Sequence, residues 1–110
     1  MKKLVFAIIN DEDSPHLMSA MNQAGFQVTK LNSTGGFLRS GNTTLMMVVE
    51  QEKMEELLDI IRKYSSSRKV SVNANMTPSG IGGSFIPYPV EVQVGGATVF
   101  SVNVDQFEKI

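Results

Sequence analysis

Lys3-Leu4-Val5-Phe6-Ala7-Ile8-Ile9-Asn10 runs directly into Asp11-Glu12-Asp13-Ser14-Pro15, and this junction decides the fold. The first run is rich in β-branched, aromatic and aliphatic side chains, as a largely buried strand requires. The acidic cluster ends it too early for the apolar core of a signal peptide. Asp13 or Ser14 is placed to cap a helix, and Pro15 suits its first position, where no N–H is needed. Leu17, Ala20, Met21 and Ala24 then recur at i, i+3, i+4 and i+7, one apolar stripe, and Gly25 fits the residue just past the helix end. The chain therefore opens as a strand followed at once by an amphipathic helix.

From Phe26 the period changes to two. Phe26 and Val28 alternate with Gln27 and Thr29, predicting a second strand that reaches a turn at Ser33-Thr34-Gly35-Gly36. Asn42 to Val49 reads as a third strand, apolar on both faces through its second half, and as the hairpin partner of the second. Met54, Leu57, Leu58 and Ile61 repeat the helical spacing with Glu55, Glu56, Asp59 and Arg62 opposite, a second helix. Ser65-Ser66-Ser67 begins a polar segment reaching about Pro87, overlong for an idle connection. Val90, Val92 and Val94 alternate with Glu91 and Gln93, and Gly95-Gly96 predicts a tight turn into a strand from Ala97 to Val104. A short turn or helix is expected over 105–110.

This order, β-α-β-β-α-β with an extra strand towards the carboxyl end, is that of a ferredoxin-like α+β fold: an antiparallel sheet with both helices on one face. Residues 1–110 are expected to form a single domain, since 110 residues at 42% hydrophobic content are enough for one core. Two helices cover one face of a sheet. The first and third strands are apolar on both sides, so the other face predicts a closed homo-oligomer with clefts between neighbouring copies.

Composition narrows the chemistry. Without cysteine there is neither disulfide nor thiolate metal site. A formal charge of −1 leaves no basic footprint for nucleic acid or an anionic membrane. No apolar stretch approaches the roughly 20 residues of a membrane helix, and a cytoplasmic protein is expected. The single histidine, His16, falls in the first turn of the first helix, where a solvated residue is the simpler reading than a general base. Asp11, Glu12 and Asp13 lack the spacing of a calcium loop and are better explained by charge at a helix start. No base is in evidence to activate a serine or threonine, so catalysis is not expected, and neither is a cofactor.

Gly36 to Thr43 has the glycine spacing of a phosphate-binding loop, but Asn42 stands where its lysine belongs and a strand follows instead of a helix. As a ligand cradle the segment still has content. Gly35 and Gly36 allow close backbone approach, Ser33, Thr34 and Asn42 add polar groups, and Arg39 offers charge. Phe37 is an unusual choice for an exposed turn. An ordinary hairpin turn accounts for these residues equally well. A second glycine-rich stretch, Asn73 to Gly83, lacks the context of a dinucleotide site. The methionines Met18, Met21, Met46, Met47 and Met54 are expected in an adaptable core.

Thr29-Lys30-Leu31, Thr34-Gly35-Gly36-Phe37-Leu38-Arg39, Gly41-Asn42-Thr43-Thr44, Pro87-Tyr88-Pro89-Val90-Glu91-Val92 and Gly95-Gly96-Ala97-Thr98-Val99-Phe100 together resemble the cyclic di-AMP receptor proteins, which are PII-like signalling proteins. The resemblance covers nearly the whole chain, in order. It implies a homotrimer of ferredoxin-like subunits that senses without catalysing, with one cyclic dinucleotide in each cleft between neighbours. Loops near 33–41 and 66–87 are then expected to change on binding and to alter contacts with a downstream protein. Position by position, it implies that Thr29, Gly35, Gly36, Phe37, Leu38, Asn42 and Phe100 line the pocket.

Three positions depart from that pattern. Gln27 stands where the resemblance implies arginine, a cationic phosphate donor that an amide replaces only in part. Val48 stands in place of a glycine that admits the nucleotide, and Lys109 in place of a glutamine near the carboxyl end, where its charge could compensate. Two readings follow: a receptor for cyclic di-AMP, or a PII-like interaction protein that has lost or altered nucleotide binding.

Overall fold

Alternate side chains of the first strand divide the molecule into a packed side and an open side. In the computed structural model, which describes residues 1–31, 41–73 and 89–110, β1 spans Lys2–Asn10. Its Val5, Ala7 and Ile9 are buried, and Leu4, Phe6 and Ile8 on the other face are half-buried. β3, Asn42–Glu50, repeats the division: Leu45, Met47 and Val49 enter the core, and Val48 is exposed. The two strands pair antiparallel from Lys2 opposite Glu50 to Asn10 opposite Asn42, so their packed faces coincide.

Both helices cover that packed face. Leu17 and Met21 of α1, Ser14–Gln23, and Leu57 and Ile61 of α2, Met54–Ser65, join the strand residues in one core cluster. Each large aliphatic side chain buried here contributes about 1.5–3 kcal/mol of transfer free energy. A single 3₁₀ turn, Gln51–Lys53, leads into α2. The acidic and basic side chains Glu55, Glu56, Asp59 and Arg62 lie outside, as the spacing predicts.

The second strand is shorter than its periodicity suggests. β2 spans only Thr29–Leu31. The residues before it complete the end of α1: Gly25 adopts φ +92°, its N–H donates to Asn22 O at 3.0 Å, and the Phe26 N–H donates to Met21 O at 2.9 Å. That pattern is a Schellman motif, with glycine at the left-handed position. Phe26 is therefore a core residue fixed by the helix terminus, not the start of a strand.

A larger correction concerns the carboxyl half. Arg68–Asn73 forms a strand, β4, inside the segment expected as polar linker, and it pairs antiparallel with β5, Pro89–Val94, in a separate two-stranded ladder. β6, Ala97–Asn103, does not form a hairpin with β5; it pairs with β1 and closes the main sheet in the order β2-β3-β1-β6. Gly95 and Gly96, at φ +78° and +95°, carry the chain from ladder to sheet. The Gly96 N–H donates to Ser65 O at 2.6 Å, which anchors the crossing to the end of α2. The last sheet strand is thus β6, and the additional strands are the ladder inserted before it. Without the ladder, the order is β-α-β-β-α-β with an antiparallel sheet, the ferredoxin-like arrangement. Residues 105–110 form neither helix nor strand.

The acidic turn also does something other than decorate a helix dipole. Asp13 occupies the capping position of α1 without a side-chain cap bond. Its buried carboxylate instead accepts from Arg68 Nη2 at 2.8 Å and Nη1 at 3.3 Å. The Asp11 carboxylate accepts the Thr43 hydroxyl, and the Asp11 N–H donates to Gly41 O at 2.9 Å. His16 is exposed on α1.

Candidate functional site

Strand register assembles the open face of the sheet residue by residue. One row crosses all four strands as Thr29, Met46, Phe6 and Phe100. The next row towards Asn42 reads Leu31, Thr44, Ile8 and Thr98, and the next in the other direction reads Val48, Leu4 and Val102. Phe6 and Phe100 stack with ring centroids 5.2 Å apart and an interplanar angle of 23°. Phe100 is 44% exposed and Val102 52%, so the apolar surface is uncovered within one chain. A contiguous face of this kind marks an interaction surface.

Three of the residues implied to line a pocket, Thr29, Val48 and Phe100, therefore share this face, at exposed positions. Asn42 opens β3 opposite Asn10 and is half-buried. Gln27, ahead of β2, lines a cleft of about 310 Å³ together with Val48, Lys2, Glu50 and Lys53. Lys109 is exposed in the terminal segment. Gly35, Gly36, Phe37 and Leu38 lie outside the described residues, as does most of both loops expected at 33–41 and 66–87.

The charge missing at Gln27 has neighbours that no sequence motif singles out. Lys2 and Lys53 border the same cleft. Lys2 Nζ donates to Glu50 Oε1 at 2.7 Å and lies 4.8 Å from the centre of the Phe107 ring, and Lys53 is held loosely, 3.9 Å from Glu56. The Lys2 hydrogen bond, reinforced by the charges of Lys2 and the amino terminus, holds the Glu50 carboxyl below the usual carboxylate range. No spacing rule links positions 2, 27 and 53; pairing of both β1 and β2 with β3 brings them together.

Thr44 lies in the stretch Gly41-Asn42-Thr43-Thr44, but nothing in that stretch sets it apart from Thr43. It is buried on the open face, and its hydroxyl has no hydrogen-bond partner among the described residues. Neighbouring Thr43 points to the opposite face, where Asp11 accepts its hydroxyl. Among the described residues no three His, Asp or Glu side chains converge to hold a metal ion, and no helix is long and apolar enough to cross a membrane.

The surface thus offers aromatic and aliphatic area edged by hydroxyl, amide and ammonium groups, a chemistry suited to a heteroaromatic ligand with anionic substituents. A crystal structure of a protein of unknown function from Pediococcus pentosaceus superposes with a TM-score of 0.77 at 45% identity, covering 99% of this chain and 97% of that one. A DNA polymerase epsilon component from Schizosaccharomyces pombe is 30% identical over 82 residues, 71% of this chain, but the match spans only 14% of that protein's length. The sequence pattern of the cyclic-di-AMP receptor family matches residues 1–110, the entire sequence. The chain belongs to the cyclic-di-AMP receptor family.

Proposed function

We propose that this chain is a non-enzymatic receptor, a single domain over residues 1–110, that binds cyclic di-AMP in clefts between the subunits of a homotrimer. The observation that carries the reading is the open sheet face, with Thr29 and Phe100 at opposite edges of one row. Three strand spacings separate those edges, about 14 Å, so a ligand touching both within one copy would have to span the sheet. Adjoining copies remove the difficulty, because the Thr29 edge of one then faces the Phe100 edge of another. Closing a ring also covers the exposed Phe100 and Val102. Gly35, Gly36, Phe37, Leu38 and Asn42 complete the cleft in this reading, and the loops near 33–41 and 66–87 report occupancy to a downstream protein in the cytoplasm.

One observation favours a second reading, an interaction protein of the same architecture without nucleotide binding. Val48 projects a branched side chain beside Gln27, in the cleft where the family pattern implies glycine and arginine. Calorimetric titration with cyclic di-AMP, alongside ATP and cyclic di-GMP, separates the two. Saturable heat with cyclic di-AMP alone supports the receptor; no heat at high concentration overturns it in favour of the second reading. Asn42→Ala is expected to weaken binding while sedimentation still reports the assembled oligomer, and collapse to monomers would contradict its placement at the ligand.

A further inference from the structure

Resting on that receptor reading, we infer that the Thr44 hydroxyl is a further ligand contact, hydrogen-bonding the edge of an adenine base. Thr43 and Thr44 are adjacent threonines in the inner sheet strand β3, both buried, with opposite fates. The Thr43 hydroxyl is satisfied by Asp11 on the packed side. The Thr44 hydroxyl, on the open side, has no partner among the described residues. A buried hydroxyl left unpaired is costly, and one retained on the face that carries the candidate site points to a partner supplied from outside the chain.

The surroundings select the kind of partner. Thr44 is flanked in register by Leu31 on β2 and Ile8 on β1, and Met46 follows it on the same face. Thr98 in the same row is two strands away, about 9.6 Å, beyond hydrogen-bond reach. The floor is therefore aliphatic with a single hydroxyl in it, bordered towards the strand end by the Asn42 and Asn10 amides, which suits a flat heterocycle lying on carbon and hydrogen-bonded at one edge. A phosphate is poorly served here. Lys2, on this face, and Lys53, in the turn before α2, border the cleft at Glu50, six residues along β3 and about 20 Å away.

The test uses two variants of the full chain. Thr44→Val keeps the shape and removes the hydroxyl; Thr44→Ser keeps the hydroxyl. Affinity for cyclic di-AMP is measured by calorimetry, and melting temperature and sedimentation are measured without ligand. Thr44→Val is expected to bind about tenfold more weakly, the loss of one neutral hydrogen bond, with its unliganded melting temperature and assembly unchanged or improved. Thr44→Ser is expected to bind as the unaltered chain does. Wild-type affinity in Thr44→Val overturns the assignment while the receptor reading stands. A lowered melting temperature or loss of assembly in unliganded Thr44→Val also overturns it, because the partner is then another protein group. No heat from the unaltered chain overturns both.

Discussion

Arg68 Nη2 lies 2.8 Å from Asp13 Oδ1, tying the first residue of the ladder to the start of α1 across 55 sequence positions. The partners are unequal, since the Asp13 side chain is 8% exposed and that of Arg68 44%. Removing the guanidinium strands a buried carboxylate, whereas neutralising the carboxylate leaves an arginine that still reaches water. Arg68→Met is therefore expected to lower the melting temperature more than Asp13→Asn. Both should speed backbone hydrogen exchange over 68–73, by about tenfold for Arg68→Met. Equal effects from the two variants, or unchanged exchange in the ladder, would contradict this view of its anchor.

Gly95 separates two causes of glycine preference. A Cβ there would lie 2.5 Å from Arg68 Nη1 and 2.8 Å from Ser66 O, at φ +78°; at Gly25, φ +92°, nothing lies within 4 Å. Gly25→Ala meets backbone strain alone, about 1 kcal/mol, and Gly95→Ala adds a steric clash that displaces the arginine, for a total of about 2–3 kcal/mol. Urea denaturation of the two variants measures the difference, and parity between them would show that the arginine yields freely.

Gln27 and Val48 line one cleft, so restoring the family pattern at both is expected to strengthen cyclic di-AMP binding by more than either change alone. Gln27→Arg supplies a charge-assisted hydrogen bond, about tenfold to a hundredfold in affinity, and Val48→Gly opens space beside it. Calorimetry on the single and double variants is the measurement. Unchanged affinity in the double variant places the pocket elsewhere.

Acid should act on the end of the sheet where Lys2 meets Glu50. Because the folded chain holds the Glu50 carboxyl below its unfolded value, its contribution is complete above about pH 4.5 and is lost as pH falls through the lowered value. Glu50→Gln is expected to melt at a lower temperature than the unaltered chain near neutrality, with the difference closing below about pH 4.5. A difference that stays constant down to strongly acid pH would mean that the Lys2 pairing adds no stability.

Legibility followed locality. The two helices, β1, β3 and the end of α1 at Gly25 are readable because their signals are contained within a few residues: apolar spacing, a proline at a first turn, a glycine after a last one. The alternation of Val70 and Val72 is just as visible as that of Val90, Val92 and Val94. What hides it is the assignment of a partner. Gly95-Gly96 between alternating runs favours a hairpin on local grounds, yet pairing β6 with β1 stacks Phe100 on Phe6 and completes the sheet, a long-range gain outside any local window. Asp13 and Arg68 are obscured for the same reason, being neighbours only after folding. In the candidate site, Thr29, Val48 and Phe100 come from family likeness, and their common face follows from register. Lys2 and Lys53 carry no motif, and Thr44, inside the stretch Gly41-Asn42-Thr43-Thr44, carries no role from it; only pairing and burial distinguish them.

The 2.6 Å bond from the Gly96 N–H to Ser65 O means that the polypeptide leaves the helix-and-sheet body and re-enters it at a single point. The ladder strands on either side of that crossing, Arg68–Asn73 and Pro89–Val94, are fastened to the body here and by Arg68 to Asp13. Joining Ser65 to Gly96 directly would need no more than a short splice, and every rung of the main sheet lies outside the ladder. The ladder is thus a separable module: exchanging it would leave the strand order and register of the four-stranded sheet as they are.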